Sequence, residues 1–324
     1  MGTAPSPDVM NKLGRSVLAL YSYDPRPEDT SLEHELLQAL TLVARCPTII
    51  AHAFAVKRHY YDEESLYLHR PQEGLSMAEN FLYSVRHDNK FTEQEARLLD
   101  LCLVLHAEHG GGNNSAFACR VLSSSGTDIY SAISAAVGSL KGPRHGGANI
   151  RVMRMFEDMK SNIDTRDDDQ LRAYLEALVD GKAFDGAGLI YGIGHAVYSI
   201  SDPRAKIFKG FVEKLSYEKG LHDEYNLYAR VEQFAPEIIS KKRKMYKGVS
   251  ANVDFYSGFA YSMLNIPIEL YTPIFAIARM AGWSAHRMEE LVNAGKIIRP
   301  AYQSVAEHRE YAVSYTHLRA HETT

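Results

Sequence analysis

The chain has 324 residues, of which 45% are hydrophobic and 23% charged, and its formal net charge at pH 7 is −4. This length allows one large or two ordinary domains with a buried core, and the composition is ordinary for a soluble globular protein. The slight acidic excess gives no reason to expect a nucleic-acid partner. We find no apolar run of membrane length and no secretory signal, so we also expect no membrane contact.

Helical signals follow one another along the first third of the chain. Three capping boxes, each a Ser or Thr followed three residues later by Glu, are predicted at Thr30, Ser76 and Thr92. The first leads into an apolar stripe at helical spacing, which Pro47 should end or kink. The third opens a long apolar segment that stops before three glycines, 110–112.

The rest of the chain is also predicted to be helical, and alternating strand patterns are hard to find. The apolar spacing predicts helices at about residues 128–141, 147–160, 168–180, 204–219, 222–244, 255–265, 271–281 and 284–294. The basic run at 241–247 is interpreted as the solvated end of a helix, where cations complement the helix dipole.

Three cysteines, Cys46, Cys102 and Cys119, are widely spaced and form no CxxC pair. An odd, sparse set of this kind is typical of reduced, buried thiols in a cytosolic protein. We therefore expect a cytoplasmic location and no disulfide framework.

Four clusters place polar residues of catalytic type beside glycine or proline. They are HAEHGGGNN (106–114), GPRHGGAN (142–149), GIGHAVYSISDPR (192–204) and NVDFYSG (252–258). Glycine permits close approach of the backbone to a ligand, and histidine titrates near neutral pH. One histidine near a turn is more often a cap or a satisfied surface group, but four such clusters favour a shared site.

Other chemistries fit the sequence poorly. His106 and His109 share a helical face, so a metal pair and a metal-dependent hydrolase are conceivable. The chain has no HExxH motif and no cysteine ligand set, which argues against a metal site. The glycines between 188 and 194 lack the GK[ST] of a phosphate loop, and no GxSxG marks a nucleophile elbow.

Together, the clusters resemble the citrate synthase family, including the 2-methylcitrate synthases. The four clusters, the segment FAIARMAGW (275–283) and the IIRP that ends at Pro300 occur in the family's order, within a resemblance that runs from about residue 8 to about 311. It implies an all-α fold of two domains. The large domain would comprise residues 1–145 and 264–312, and the small domain residues 146–263. We expect the large domain to lack an N-terminal piece that the family usually has, and the tail 313–324 matches no family pattern.

The resemblance implies condensation of acetyl-CoA with oxaloacetate, through an enol and hydrolysis of citryl-CoA, as in the tricarboxylic acid cycle. Acetyl-CoA is then a co-substrate, with no permanently bound cofactor and no metal. Asp254 is implied as the base, His145 as the donor to the thioester oxygen, and His195 as the donor to the ketone of oxaloacetate. Because a predicted helix starts near Gly147, its N-terminus should keep His145 neutral.

The remaining site residues are implied in two groups. The oxaloacetate contacts would be His109, Asn113, Arg204, Arg279 and Arg299, and the CoA contacts would be Gly192, Ile193 and Gly194. Arg299 would reach into the neighbouring subunit's site, which implies a homodimer. Among apolar neighbours, Arg279 should be partly buried and need an anion. Two simpler interpretations stay open: Asp254 as a helix cap, and Arg204 as a surface turn residue.

Two alternative functions also stay open. A 2-methylcitrate synthase would use propionyl-CoA, which differs by one methylene, and the sequence does not give the volume of the acyl pocket. The other alternative is a truncated, non-catalytic homologue that only binds a ligand or a partner.

Overall fold

The computed structural model describes residues 2–143, 145–194, 202–243, 248–293 and 295–301, together with residues 303, 305 and 307. Over these residues the fold is all-α, as expected, and the only β-type pairing is an isolated bridge between Ile193 and Ala251. The helices are α1 (Val9–Leu20), α2 (Leu32–Tyr61), α3 (Met77–Val85), α4 (Glu93–His106), α5 (Asn114–Ser123), α6 (Ile129–Lys141), α7 (Ala148–Asn162), α8 (Asp168–Val179), α9 (Pro203–Glu218), α10 (His222–Arg243), α11 (Val253–Met263) and α12 (Tyr271–Asn293).

Two of the three predicted capping boxes are confirmed. Ser76 and Thr92 each accept a hydrogen bond from the backbone N–H three residues on, and the Glu at that position bonds back to the cap residue's N–H. The box predicted at Thr30 is wrong, because α2 begins after Ser31, whose side chain makes no capping bond. The backbone N–H of Ser31 is instead bound by the carboxylate of Asp29.

Two helix ends that we predicted from local sequence are not present in the structure. Pro47 lies inside α2, which continues to Tyr61, so the prediction that the helix could end there is wrong. Pro47 is buried in the core, and tertiary packing there outweighs the lost backbone hydrogen bond. The two helices predicted for 271–294 form the single helix α12, because Gly282 serves close packing against Ala107 and not a helix end. Helices α1 and α5 were not predicted.

The helices pack in two groups that share one continuous hydrophobic core. Helices α1, α2, α5, α6 and α12 contact one another, whereas α11 contacts α7 and α9, and α10 contacts α8 and α9. Helix α4 touches members of both groups. The exact division into a large and a small domain stays a prediction.

Helix α2 requires a correction to the expectation that no apolar run has membrane length. An 18-residue window of this helix has a mean hydropathy of 1.6, and half of that window is buried in the protein. The helix packs against α1, α3 and α12 and carries the buried carboxylate of Glu35, so we interpret it as a core helix.

A buried ion pair fixes α12 against α2. The Nε of Arg287 donates to Oε2 of Glu35 at 2.9 Å, and Nη1 of Arg287 donates to Oγ of Ser123 at 3.3 Å. Glu35 and Arg287 are 1% and 0% exposed. Because both charges are desolvated, each depends on the other, and the pair fixes which face of α12 points inward.

We expect Arg287→Met to destabilise the fold by about 3–5 kcal/mol, because it leaves the Glu35 carboxylate buried without a partner. Urea unfolding measures this loss. The double variant Glu35→Met/Arg287→Met should recover most of it, and Arg97→Ala, in an exposed ion pair with Glu93, should change little. A single variant as stable as the double variant would contradict the assignment.

Candidate active site

The turn between α6 and α7 presents His145 and is closely packed. The backbone N–H of His145 donates to the carbonyl of Gly142 at 2.9 Å, and that of Gly146 donates to the carbonyl of Leu140 at 2.9 Å. From α12, Thr272 Oγ1 donates to the carbonyl of Gly146 at 2.9 Å. A Cβ on Gly146 would lie 2.2 Å from the carbonyl oxygen of Leu140, so only glycine fits there.

Ser115 and Trp283 hold the ring of His145. Nε2 of His145 lies 3.4 Å from the backbone nitrogen of Ser115 and 3.0 Å from its Oγ, which accepts a hydrogen bond from Trp283 Nε1 at 3.1 Å. A backbone N–H can only donate, so Nε2 is the acceptor and the ring proton resides on Nδ1. Sequence reasoning missed both residues, although Trp283 is the chain's single tryptophan.

The structure supports a neutral His145. Burial lowers the pKa of His145 to about 4, and the positive charges of Arg279 and His109 act in the same direction. Helix α7 begins at Ala148, close to where it was expected, but burial is the largest cause of the lowered pKa.

Arg279 carries a buried cation with unused hydrogen-bonding capacity. Its Nε donates to the carbonyl of His106 at 2.7 Å and its Nη1 donates to Oδ1 of Asn113 at 3.5 Å, while Nη2 has no partner among the described residues. The side chain is 0% exposed, so burial is more complete than expected, and it lowers the pKa of Arg279 to about 10. A buried cation of this kind favours an anionic ligand.

His106 belongs to the core. Its ring packs against Phe275, with ring centroids 4.6 Å apart, and lies near Phe208 and Tyr261. Burial lowers the pKa of His106 to about 3, and its Nδ1 bonds to the carbonyl of Cys102 at 2.8 Å. Within the described ranges, no three His, Cys, Asp or Glu side chains lie close enough together to hold a metal ion.

Asp254 is the second residue of α11 and does not cap that helix. The cap is Asn252, whose Oδ1 accepts the backbone N–H of Asp254 at 3.0 Å. Burial raises the pKa of Asp254 to about 6, against the opposing attraction of Arg204 and Arg279. The interpretation of Asp254 as a cap is therefore wrong, and its carboxylate is a stronger base than an ordinary aspartate.

The segment Gly192–Gly194 is attached to the start of α11. Gly194 N–H donates to the carbonyl of Ser250 at 2.7 Å, and Asn252 donates to the carbonyls of Gly192 and Gly194 at 2.8 and 2.9 Å. Gly192 has φ +81°, and a Cβ there would lie 2.8 Å from the ring of Phe255. The predicted CoA segment, which includes Ile193, is thus held near Asp254. His195 lies outside the described residues.

Arg204 is mostly buried, so the interpretation as a surface turn residue is wrong. Its guanidinium binds both carboxylate oxygens of Asp202, at 2.8 and 3.1 Å. The same carboxylate caps α9 and accepts the backbone N–H of Val253 at 3.2 Å. This ion pair therefore joins α9 to the start of α11.

Of the other predicted oxaloacetate contacts, Asn113 and His109 lie near His145 and Arg299 does not. Asn113 lies in the cluster, where its Oδ1 is 3.0 Å from Ser115 Oγ. His109 is half-buried and close enough for its charge to lower the pKa of His145. Arg299 is exposed, and the structure does not bring it to this cluster.

Comparison with known proteins identifies related sequences and folds. Residues 1–301 match the family model described as the C-terminal domain of citrate synthase. The citrate synthase of Synechocystis sp. is 37% identical over 304 residues, which cover 92% of this chain and 69% of the relative. The 2-methylcitrate synthase of Shewanella oneidensis is 34% identical over 260 residues, which cover 80% of this chain and 62% of the relative.

Solved structures give the same result for the fold. A ternary complex of citrate synthase from Thermoplasma acidophilum with carboxymethyl coenzyme A and oxaloacetate has a TM-score of 0.78 and 29% identity, and covers 96% of this chain and 76% of its own. Citrate synthase from Pyrobaculum aerophilum has a TM-score of 0.75 and 30% identity, and covers 95% of this chain and 74% of its own.

NMR of ring-labelled protein should show His145 neutral at pH 7, protonated on Nδ1, with a pKa of about 4. The reason is burial near Arg279 and the hydrogen bond that Ser115 donates to Nε2. His286, whose pKa is raised by two carboxylates, provides an internal reference of opposite sign. An imidazolium signal from His145 at pH 7 would contradict the assignment.

Proposed function

This chain belongs to the citrate synthase family, and we propose that it condenses acetyl-CoA with oxaloacetate and water to give citrate and CoA. The observation that carries the proposal is the combination of a neutral His145, a basic Asp254 and a buried Arg279 whose Nη2 has no partner among the described residues. This set provides a hydrogen-bond donor, a proton acceptor and an anion-binding cation in one place.

Enolisation is the first chemical demand. The methyl group of a thioester is a far weaker acid than any carboxylic acid, so a carboxylate alone cannot form a free enolate at useful speed. We propose that Asp254 accepts the methyl proton while Nδ1–H of His145 donates to the thioester oxygen. Because its pKa is lowered to about 4, His145 donates a hydrogen bond without carrying a charge.

Carbon–carbon bond formation and hydrolysis follow. The enol carbon attacks the ketone of oxaloacetate, whose oxygen takes up a proton, and the product is citryl-CoA. Water then cleaves the thioester and releases citrate and CoA. We propose that His195 polarises the ketone and that the segment Gly192–Gly194 contacts CoA. Acetyl-CoA is a co-substrate here, and the proposed mechanism uses no permanently bound cofactor and no metal.

We propose that Arg279 and Arg204 bind the carboxylates of oxaloacetate, with His109 and Asn113 as further contacts. Nη2 of Arg279, which no described residue contacts by a hydrogen bond, supports this role, since a dianion loses water on binding and needs a paired cation. The chain is further proposed to act as a homodimer in which Arg299 reaches the partner's site. Its exposure in one chain supports that role.

Location and domain motion are also proposed. The described Cys46, Cys102 and Cys119 are buried and free, which supports a cytoplasmic location. We propose a small domain of residues 146–263 that closes over the substrates. Glu95 forms ion pairs with Arg86 at 2.8 Å and with Lys219 at 2.6 Å. Because Lys219 belongs to the proposed small domain and Glu95 to the large one, their ion pair would cross the proposed boundary.

The second candidate is 2-methylcitrate synthesis from propionyl-CoA. Relatives of that name, from Shewanella oneidensis and Corynebacterium glutamicum, are 34% and 32% identical to this chain. One methylene changes transition-state binding by only about 1–3 kcal/mol, so an assay has to compare both acyl donors.

A thiol-release assay with oxaloacetate tests the reaction. We expect CoA release from acetyl-CoA to exceed release from propionyl-CoA, and Asp254→Asn to lower kcat about 10²–10⁴-fold because the base is lost. Asp100→Asn, the same substitution on an exposed face of α4, should retain activity.

Two results would contradict this assignment. Equal release by wild type and Asp254→Asn refutes the base, and faster release from propionyl-CoA favours the second candidate. Unfolding provides a check on the variant's fold. Burial raises the pKa of Asp254 from 3.8 to about 6, so the folded state loses stability as the pH increases through that interval and the full cost is present at pH 7. Asp254→Asn should therefore be at least as stable as wild type at pH 7.

The pH profile gives a separate test. As the pH falls below about 6, Asp254 takes up a proton, and kcat/KM should fall about tenfold per pH unit. The neutral His145, with a pKa of about 4, should not contribute to this limb above pH 5. Steady-state rates between pH 4.5 and 8.5 measure the profile, and a flat profile down to pH 5 would contradict the role of Asp254.

A further inference from the structure

The loop 107–113, between α4 and α5, is held along one face of α12. This loop carries His109 and Asn113, two of the proposed oxaloacetate contacts. Arg279 Nε donates to the carbonyl of His106, the last residue of α4, at 2.7 Å. Within the loop, the carbonyl of Ala107 accepts a hydrogen bond from Gly282 N–H at 3.1 Å, and Glu108 Oε1 forms an ion pair with His286 Nε2 at 2.9 Å.

Glu108 also shapes the loop itself. Besides binding His286, its Oε1 accepts the backbone N–H of Gly110, which has φ +89°. Asn113 N–H then donates to the carbonyl of Gly110 at 3.1 Å and closes the turn. A Cβ on Gly111 would lie 3.2 Å from Cε1 of His286, so the imidazole packs directly beneath the glycine run.

His286 bonds to a carboxylate through each ring nitrogen. Nδ1 lies 2.7 Å from Glu289 Oε2 and Nε2 lies 2.9 Å from Glu108 Oε1. A neutral imidazole has one N–H, so both bonds require the imidazolium. Other charged or titratable groups nearby include Arg120 on α5 with its ion-pair partner Glu290, 3.3 Å away, and His109 in the loop itself.

We propose that His286 is a positioning residue: its imidazolium binds Glu108 and so fixes loop 107–113, with His109 and Asn113, for oxaloacetate. The inference rests on the proposed function of the site. His286 touches no substrate in this role and acts through the loop. It should therefore affect KM for oxaloacetate more than kcat.

The sign of the pH dependence follows from the pKa. Burial alone would lower the pKa of His286, but hydrogen bonds to Glu108 and Glu289 outweigh it and raise the pKa. The imidazolium is therefore present below that raised pKa and lost as the pH increases through it. With one N–H left, His286 can no longer bind both carboxylates, the loop loosens, and KM for oxaloacetate increases.

Steady-state kinetics with oxaloacetate between pH 6 and 9 test the proposal on three variants. His286→Gln should raise KM about tenfold at pH 6, keep kcat within about threefold, and remove the alkaline increase in KM. Glu289→Gln should keep KM low at pH 6 but move the alkaline increase about 0.5–1 pH unit lower, because one carboxylate that stabilises the imidazolium is gone. His87→Gln, at a half-exposed histidine that follows α3 and lies beside Glu64, should match wild type.

Two kinetic outcomes would overturn the proposal. The first is a wild-type KM in His286→Gln with the alkaline increase intact. The second is an unshifted increase in Glu289→Gln, which tests the proposal even if His286→Gln does not fold.

Trp283 fluorescence reports oxaloacetate binding independently of turnover, because the indole bonds to Ser115 beside His145. If oxaloacetate binds to the wild-type protein with no pH dependence, only the role of His286 is overturned. If the wild-type protein shows neither binding nor turnover, the proposed function is overturned as well.

Discussion

The guanidinium of Arg279 lies out of contact with water, and a cation in that position affects the protonation of the groups around it. Its charge helps lower the pKa of His145 and opposes the rise in the pKa of Asp254. Its Nε and Nη1 hold the carbonyl of His106 and the amide of Asn113. The side chain is enclosed by α12 and the α4–α5 loop. The packing of those elements therefore keeps the charged guanidinium away from water, which would otherwise stabilise it.

Asp254 and His145 show how one environment moves two groups in opposite directions. Burial disfavours the charged form of each, which makes the aspartate a stronger base and the histidine a weaker one. At neutral pH the carboxylate, with a pKa of about 6, is therefore close to its titration range, whereas the imidazole, with a pKa of about 4, stays neutral. The positive charges of Arg204 and Arg279 oppose the rise in the pKa of Asp254, so the aspartate stays mostly ionised at pH 7.

The sequence predicted contacts between residues that are close along the chain and missed contacts between residues that are far apart. The caps at Ser76 and Thr92 need residues three positions apart, and local spacing was sufficient. Local rules likewise predict that a helix ends or bends at Pro47 and ends at Gly282. The burial of α2 and the close approach of Ala107 to α12 override both predictions. Ser115 lies 30 positions from His145 along the chain, and Trp283 lies 168 positions from Ser115, so only the folded chain reveals these contacts.

Helix α12 carries Arg279, Trp283 and Arg287 at four-residue intervals, with Gly282 and His286 beside them. Each contacts a different partner: in the same order, the carbonyl of His106, Ser115, Glu35, Ala107 and Glu108. One inserted or deleted residue in this stretch would rotate everything after it by about 100° around the helix axis. The segment can therefore accept substitutions but not insertions or deletions. The number of residues between these side chains has to stay constant for them to meet the four glycine-flanked clusters.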